Sequence, residues 1–165
     1  MVVTGLGLIS PVGNNPLDGW HSVRDGISGI NPIDTFDTGS FSVRIGGTIK
    51  GFDASNYVDA KFARNSDPFI HYGVASCKQA FEDSGLDVLE NEAHRFGIFM
   101  GSGIGGLNTI ENNYERYMKS GSRRISPFFV PGSIVNMVSG YTSIEYGIRG
   151  PNLALVTACA TSTHC

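Results

Sequence analysis

Short apolar runs alternate with segments of helical period along this chain, and glycine or proline punctuates the changes. Val2–Leu6 predicts a buried first strand, followed by the loop SPVGNNP. Leu17–Arg24 predicts a short helix, with Gly26 placed to end it. Val43–Ile49 predicts a strand broken by a glycine pair. The clearest helical signal opens at Asp67-Pro68, an N-cap followed by a first-turn proline. Ile70, Val74, Cys77 and Phe81 then form one apolar stripe at i, i+4, i+7 and i+11, and Gly85 closes the helix. Phe96–Met100 predicts a buried strand that runs into GSGIGG and a polar helix over Leu107–Met118. Gly121–Pro131 reads as irregular, and Val130–Tyr146 as a helix interrupted near Gly140. A turn at Gly147–Pro151 leads into a strand over Asn152–Thr157. Strands alternating with helices define an α/β class. With no repeat, low-complexity segment or linker, the chain reads as one compact unit.

Composition narrows the class. A chain of 165 residues can bury roughly 70% of its unfolded surface in one domain. Hydrophobic residues at 41% and charged residues at 16% describe a globular chain rather than a disordered one. A net charge of −3 argues against a general nucleic-acid binder, so any anion recognition must come from a local basic patch. Apolar stretches such as Leu153–Val156 are far shorter than the ~20 residues of a membrane span. The start, MVVTGLGLIS, lacks the basic region of a signal peptide. Cys77, Cys159 and Cys165 form no disulfide framework, which points to a reducing cytoplasm.

Few segments carry candidate chemistry. Gly101–Gly106 satisfies G-x-G-x-x-G, but the acidic residue a dinucleotide site needs ~20 positions on is missing from SGSRRISPFF. A tight strand-to-helix turn explains the glycines. Cys77 lies on an apolar stripe and reads as a small hydrophobe. Cys159 differs: it follows a strand and precedes Thr161, Ser162 and Thr163, which open a helix, and such a position favours negative charge. Its neighbours Ala158 and Ala160 leave room for a substrate, so both a nucleophile and a packing cysteine fit the spacing. His164 lies five residues on, about 140° away around a helix, which argues against a local dyad. Cys159, His164 and Cys165 lack a fourth ligand and zinc-site spacing. His21, His71 and His94 are scattered singles. Arg123-Arg124 with Lys119 form the densest basic cluster, and Lys61 with Arg64 a second. Each suits a solvated face or an anionic partner.

Taken together, VVTGLGLISPVGN, GSGIGGLNTIE, RRISPFFVPGSIVNMVSG and YGIRGPNLALVTACATSTH closely resemble the N-terminal half of the β-ketoacyl-[acyl-carrier-protein] synthases. The best match is to the type II condensing enzymes of bacterial fatty-acid synthesis, and it covers essentially the whole chain in order. The resemblance implies a thiolase-like fold, in which two similar α/β halves stack five layers, αβαβα, and a homodimer forms through the first half. It implies that Cys159 accepts the acyl group, its own N–H supplying part of an oxyanion hole. The acyl chain would arrive from acyl carrier protein. Malonyl-carrier protein would then decarboxylate and condense with it, without metal or redox cofactor.

By the same resemblance Ile104 gates the acyl pocket and Phe129 belongs to the pocket and the dimer interface. Arg64, Arg123 and Arg124 dock the acidic carrier protein, while Asn65 stands where relatives are often basic. The family's two catalytic histidines, its lysine and a second oxyanion N–H lie in the second half. None of His21, His71, His94 or His164 matches them. The expectation is a domain spanning 1–165, cut just after the nucleophile, inactive alone in condensation, with an exposed apolar surface where the other half would pack. Residues 160–165 make under two helical turns, against the ~12–15 residues an isolated helix needs. A non-catalytic dimerisation or carrier-binding fragment is one rival, supported by Arg123-Arg124. A polyketide-type condensing domain is another, and it shares the cysteine.

Overall fold

A computed structural model describes residues 2–165. In place of the single unit suggested by the lack of a linker, the chain divides into two compact units. The first holds Met1–Asp53 and Ala75–Gly85, the second Ala54–Val74 and Leu86–Cys165. One division falls inside a continuous helix, where composition gives no signal.

In the first unit, α1 (Pro16–Arg24) begins where expected, because Asn15 accepts a hydrogen bond from the Asp18 N–H at 2.9 Å and Pro16 occupies the first turn. Gly26 follows at φ 69°, a conformation that only glycine adopts without strain. The glycine pair does not break the second predicted strand. It lies within β2 (Ile45–Gly47), which pairs antiparallel with β1 (Ile30–Pro32), Ile30 opposite Gly47. The strand predicted over Val2–Leu6 is absent, and Val2 and Val3 are exposed. Side chains of a helix satisfy its backbone instead: the Leu6 N–H donates to Asp83 and the Leu8 N–H to Gln79, both at 2.9 Å. A strand needs a neighbouring strand for those N–H groups, and none lies alongside among the described residues.

That helix is α3 (Pro68–Ser84), which matches its predicted bounds and ends at Gly85, φ 61°. Its amino-terminal part builds the core of the second unit. Ile70 and Val74 pack with Val138 there, all three almost wholly buried. Each buried aliphatic side chain of this kind contributes about 1.5–3 kcal/mol. Phe62, from α2 (Ala60–Asn65), meets Tyr141 edge to face at a centroid distance of 4.1 Å. Cys77 and Phe81, lower on the stripe, are half-buried.

The second unit is organised on two parallel strands, β3 (Ile98–Gly101) and β4 (Asn152–Leu155), with Ile98 opposite Asn152 and Gly101 opposite Leu155. Between them the chain forms α4 (Leu107–Ser120), a 3₁₀ turn at Ser122–Arg124, and α5 (Met137–Glu145). The break expected near Gly140 is not there, since that glycine lies within α5. Turns occupy the preceding residues, with both Ser133 and Ile134 donating to the Val130 carbonyl. The burial expected for β3 holds at Ile98 but not at Phe99, which is 46% exposed. Leu153 on β4 is also exposed. The two strands lie against α5, and a two-stranded ribbon cannot cover its remaining surface. The buried Thr142 hydroxyl is satisfied locally, donating to the Val138 carbonyl at 2.9 Å. Among the described residues no helix is long and apolar enough to cross a membrane.

Candidate active site

Because β3 and β4 run parallel, the segments that follow them leave from the same end of the ribbon. Ligands of α/β sheets gather at carboxyl ends of this kind. The segment after β3 is GSGIGG, and the segment after β4 carries Cys159.

Residues 158–160 form a 3₁₀ turn, followed by α6 (Thr161–His164), so the thiol stands just ahead of the helix and is exposed. Ala158 sits at φ 50°, and no other non-glycine residue among those described has a positive φ. An L-residue there costs about 1–2 kcal/mol and persists only where neighbours enforce it. Thr161, 6% exposed, enforces it here. Its hydroxyl accepts the Thr157 N–H at 2.9 Å and donates to the Ala158 carbonyl at 2.8 Å. The Ala160 N–H closes the turn on the Thr157 carbonyl at 3.1 Å.

The glycine loop lies over this turn. A Cβ at Gly101 would strike the Leu155 carbonyl and the Thr161 methyl group, and one at Gly103 would stand 3.8 Å from the Ala158 carbonyl. The glycines therefore serve close backbone approach, as the turn reading anticipates. Gly105 takes φ 90° and donates its N–H to the Ser102 hydroxyl at 3.0 Å. Ile104, 68% exposed, stands in the middle of this loop. Phe129 is half-buried in the turn that precedes α5. That turn is tied to the glycine loop through Ser133, whose hydroxyl donates to the Phe129 carbonyl at 2.7 Å and whose carbonyl accepts the Gly106 N–H at 2.9 Å.

Other candidates stand apart from the thiol turn. Arg64 is exposed near the end of α2, and Arg123 and Arg124 are exposed on the 3₁₀ turn that packs against α4. His164 is engaged by Thr157, its Nδ1 lying 2.8 Å from the threonine hydroxyl. His71 is 8% exposed and its Nε2 lies 2.9 Å from the Ser66 hydroxyl. That hydroxyl already donates to the Phe62 carbonyl at 2.7 Å, so His71 is the donor through Nε2–H. Burial pushes the His71 imidazole below its ordinary value, against the opposing pull of Asp67 and Ser66. His94 lies in a turn before β3, at the end of the ribbon opposite the thiol. Among the described residues no three His, Cys, Asp or Glu side chains gather as a metal site.

Sequence reasoning missed Thr161 as the clamp of the turn and Ser133 as the tie between two loops. The only available signal was the threonine spacing in TACAT, which is common at helix starts.

Comparison with known proteins adds an independent line. The family described as "Beta-ketoacyl synthase, N-terminal domain" matches residues 1–165. Three proteins named 3-oxoacyl-[acyl-carrier-protein] synthase 2 are similar over 164 residues, or 99% of this chain. Identity is 51% in Vibrio cholerae, 47% in Coxiella burnetii and 43% in Staphylococcus aureus. The chain spans 40% of the length of each. Among solved structures, a ketosynthase in complex with its type II PKS acyl-carrier protein is similar at a TM-score of 0.78 and 24% identity. The match covers 99% of this chain and 43% of that one. A beta-ketoacyl synthase from Burkholderia phymatum gives a TM-score of 0.74 at 19% identity, covering 99% of this chain and 40% of that one. At these identities the structures establish a ketosynthase, thiolase-like fold.

Proposed function

This chain belongs to the β-ketoacyl synthase family, and from that premise we propose that it holds the growing acyl group of a fatty-acid condensing enzyme on Cys159. The observation that carries the reading is an exposed thiol on a strained turn, clamped by Thr161, at the carboxyl end of a parallel strand pair. The Cys159 sulfur attacks the thioester carbonyl of an acyl-carrier protein. A new C–S bond forms, the carrier's C–S bond breaks, and the carrier leaves as its free thiol after taking the proton from Cys159. In the whole enzyme, malonyl-carrier protein then loses CO₂. Its carbanion attacks the Cys159 thioester, giving a 3-ketoacyl-carrier product and returning the cysteine.

In this reading the Cys159 N–H polarises the acyl carbonyl. Ile104 borders the entry to the acyl pocket and Phe129 its wall. Arg64, Arg123 and Arg124 dock the carrier. The three synthase relatives share the name of a fatty-acid-type synthase at 43–51% identity, which supports that type over a polyketide ketosynthase. A homodimer is supported by exposed Phe128, Val130 and Ile134 on the segment before α5, an apolar strip that suits a covered face. The exposed thiols of Cys159 and Cys165 suit a reducing cytoplasm.

Condensation needs further groups, and of the second unit's described histidines His164 is bonded to Thr157 and His71 to Ser66, while His94 lies at the far end of the ribbon. The domain assignment is therefore an acyl-holding half. Incubation with acyl-carrier protein is expected to release free carrier thiol once per chain. Adding malonyl-carrier protein is expected to yield no 3-ketoacyl product. Absence of thiol release would sink the reading, and turnover to 3-ketoacyl product would sink the division between the halves.

A further inference from the structure

Away from the thiol turn, residues of α2, the link after it and α4 enclose a polar cavity of about 230 Å³. Arg64 near the end of α2 and Arg116 on α4 both line it, with Asn108 and Asn112. Asn108, Asn112 and Arg116 recur every four residues and so share one side of α4. Neither guanidinium has an ion-pair partner among the described residues, whereas neighbouring Glu115 is taken by Lys119 at 2.8 Å. No aspartate or glutamate lines the cavity.

Its walls are fixed by bonds to buried groups. Asp67, 2% exposed, accepts the Thr109 N–H at 2.8 Å on one oxygen and the Phe69 N–H at 3.3 Å on the other. Asn113 accepts the Ser126 N–H at 2.8 Å and donates to the Thr109 carbonyl at 2.8 Å. Two unpaired guanidiniums and two carboxamides on a fixed frame form a donor-rich receptor for a compact oxyanion.

In a chain of net charge −3 this cavity is a local reversal of sign. The turn bearing exposed Arg123 and Arg124 packs against the same helix, so two further cations stand on the element next to the one that carries Arg116. A free anion would use the cavity alone, while a folded acidic partner engages both sites at once. Asn65 does not add to the charge, and its amide points back to the Lys61 carbonyl at 2.8 Å. We propose that the Arg64–Arg116 cavity receives a carboxylate side chain of the acidic carrier protein, Arg116 supplying the second cation on the side of the docking surface where Asn65 is neutral. The proposal deepens the carrier-docking reading and rests on it.

The test titrates the full chain with acyl carrier protein at low and at near-physiological salt. Arg116→Ala is expected to weaken binding roughly threefold, and Arg116→Glu further, with a shallower salt dependence in each. Arg64→Ala combined with Arg116→Ala is expected to cost less than the product of the separate effects, as sites sharing one anion require. Melting curves confirm that these exposed-site variants fold. If Arg116→Ala binds like the parent while Arg123→Ala with Arg124→Ala weakens binding, the cavity proposal falls and the docking reading stands. If the parent does not bind the carrier, both fall. If inorganic phosphate, at ionic strength matched with chloride, protects the chain in an Arg116-dependent way while carrier affinity ignores Arg116, the cavity is a free-anion site and the proposal is overturned.

Discussion

The Thr161 hydroxyl binds the Thr157 N–H at 2.9 Å and the Ala158 carbonyl at 2.8 Å, closing the backbone turn that presents Cys159. One side chain thus satisfies a donor and an acceptor and holds Ala158 at its positive φ. Thr161→Val keeps the shape but leaves both groups unpaired, for an expected loss of about 2 kcal/mol in unfolding free energy. Thr161→Ser keeps both bonds and is expected to lose less. Iodoacetamide labelling of Cys159 relative to Cys165 in the same molecule checks the positioning role: the valine variant is expected to lower that ratio and the serine variant to retain it. An unchanged ratio in Thr161→Val would assign Thr161 to stability alone.

The positive φ at Ala158 gives a second expectation. Ala158→Gly removes a backbone penalty of about 1 kcal/mol and is expected to raise the melting temperature. It also loosens the turn, so acyl transfer to Cys159 is expected to slow. A variant both less stable and equally reactive would contradict this account of the strain.

Two loop glycines are expected to differ sharply. Gly101→Ala drives a methyl into the Leu155 carbonyl and the Thr161 methyl group, with Cys165 Sγ 3.2 Å away, and is expected to destabilise by about 2 kcal/mol or more. Gly103→Ala meets only the Ala158 carbonyl at 3.8 Å, an ordinary contact, and is expected to fold normally. Denaturant melts of the pair decide the matter. Equal melts would remove the close approach from the explanation of GSGIGG.

His71 makes stability depend on pH. Its folded imidazole is held below the ordinary value by burial, so the unfolded chain takes up the proton first. The stability it contributes is present above about pH 6.5 and is lost as pH falls through the lower folded value. Melts between pH 5 and 8, a range of about three units around that value, are expected to show the slope, and His71→Gln to flatten it. A slope unchanged in the variant would place the titration elsewhere.

Much of this was legible in the residues. The cap Asp67, the stripe through Ile70 and Val74, and the stops at Gly26 and Gly85 are local signals, and local forces decided those elements. The glycines of GSGIGG announced a close backbone approach without saying what approached. Val2–Leu6 failed because strand pairing is non-local: an apolar run is a strand only beside another strand. Gly140 failed because packing of Val138, Ser139 and Thr142 into the core outweighs one residue's poor helix propensity. Within the candidate site, Cys159 stood out, whereas Thr161 could not. Its role depends on one turn bringing its hydroxyl to two backbone groups three and four residues earlier. The Arg64–Arg116 cavity joins residues far apart in sequence and was invisible for the same reason.

The most direct measurement is a peptide map by mass spectrometry of the chain after incubation with acyl-carrier protein. The account expects one acyl group on the peptide bearing Cys159, labile to hydroxylamine as a thioester is, and none on Cys77. Because Cys159 and Cys165 lie only six positions apart and fall in one peptide, fragmentation must place the group on Cys159 rather than Cys165. No adduct, or acylation of Cys165 or Cys77 as readily as of Cys159, would contradict the claim that this turn is built to hold the acyl chain.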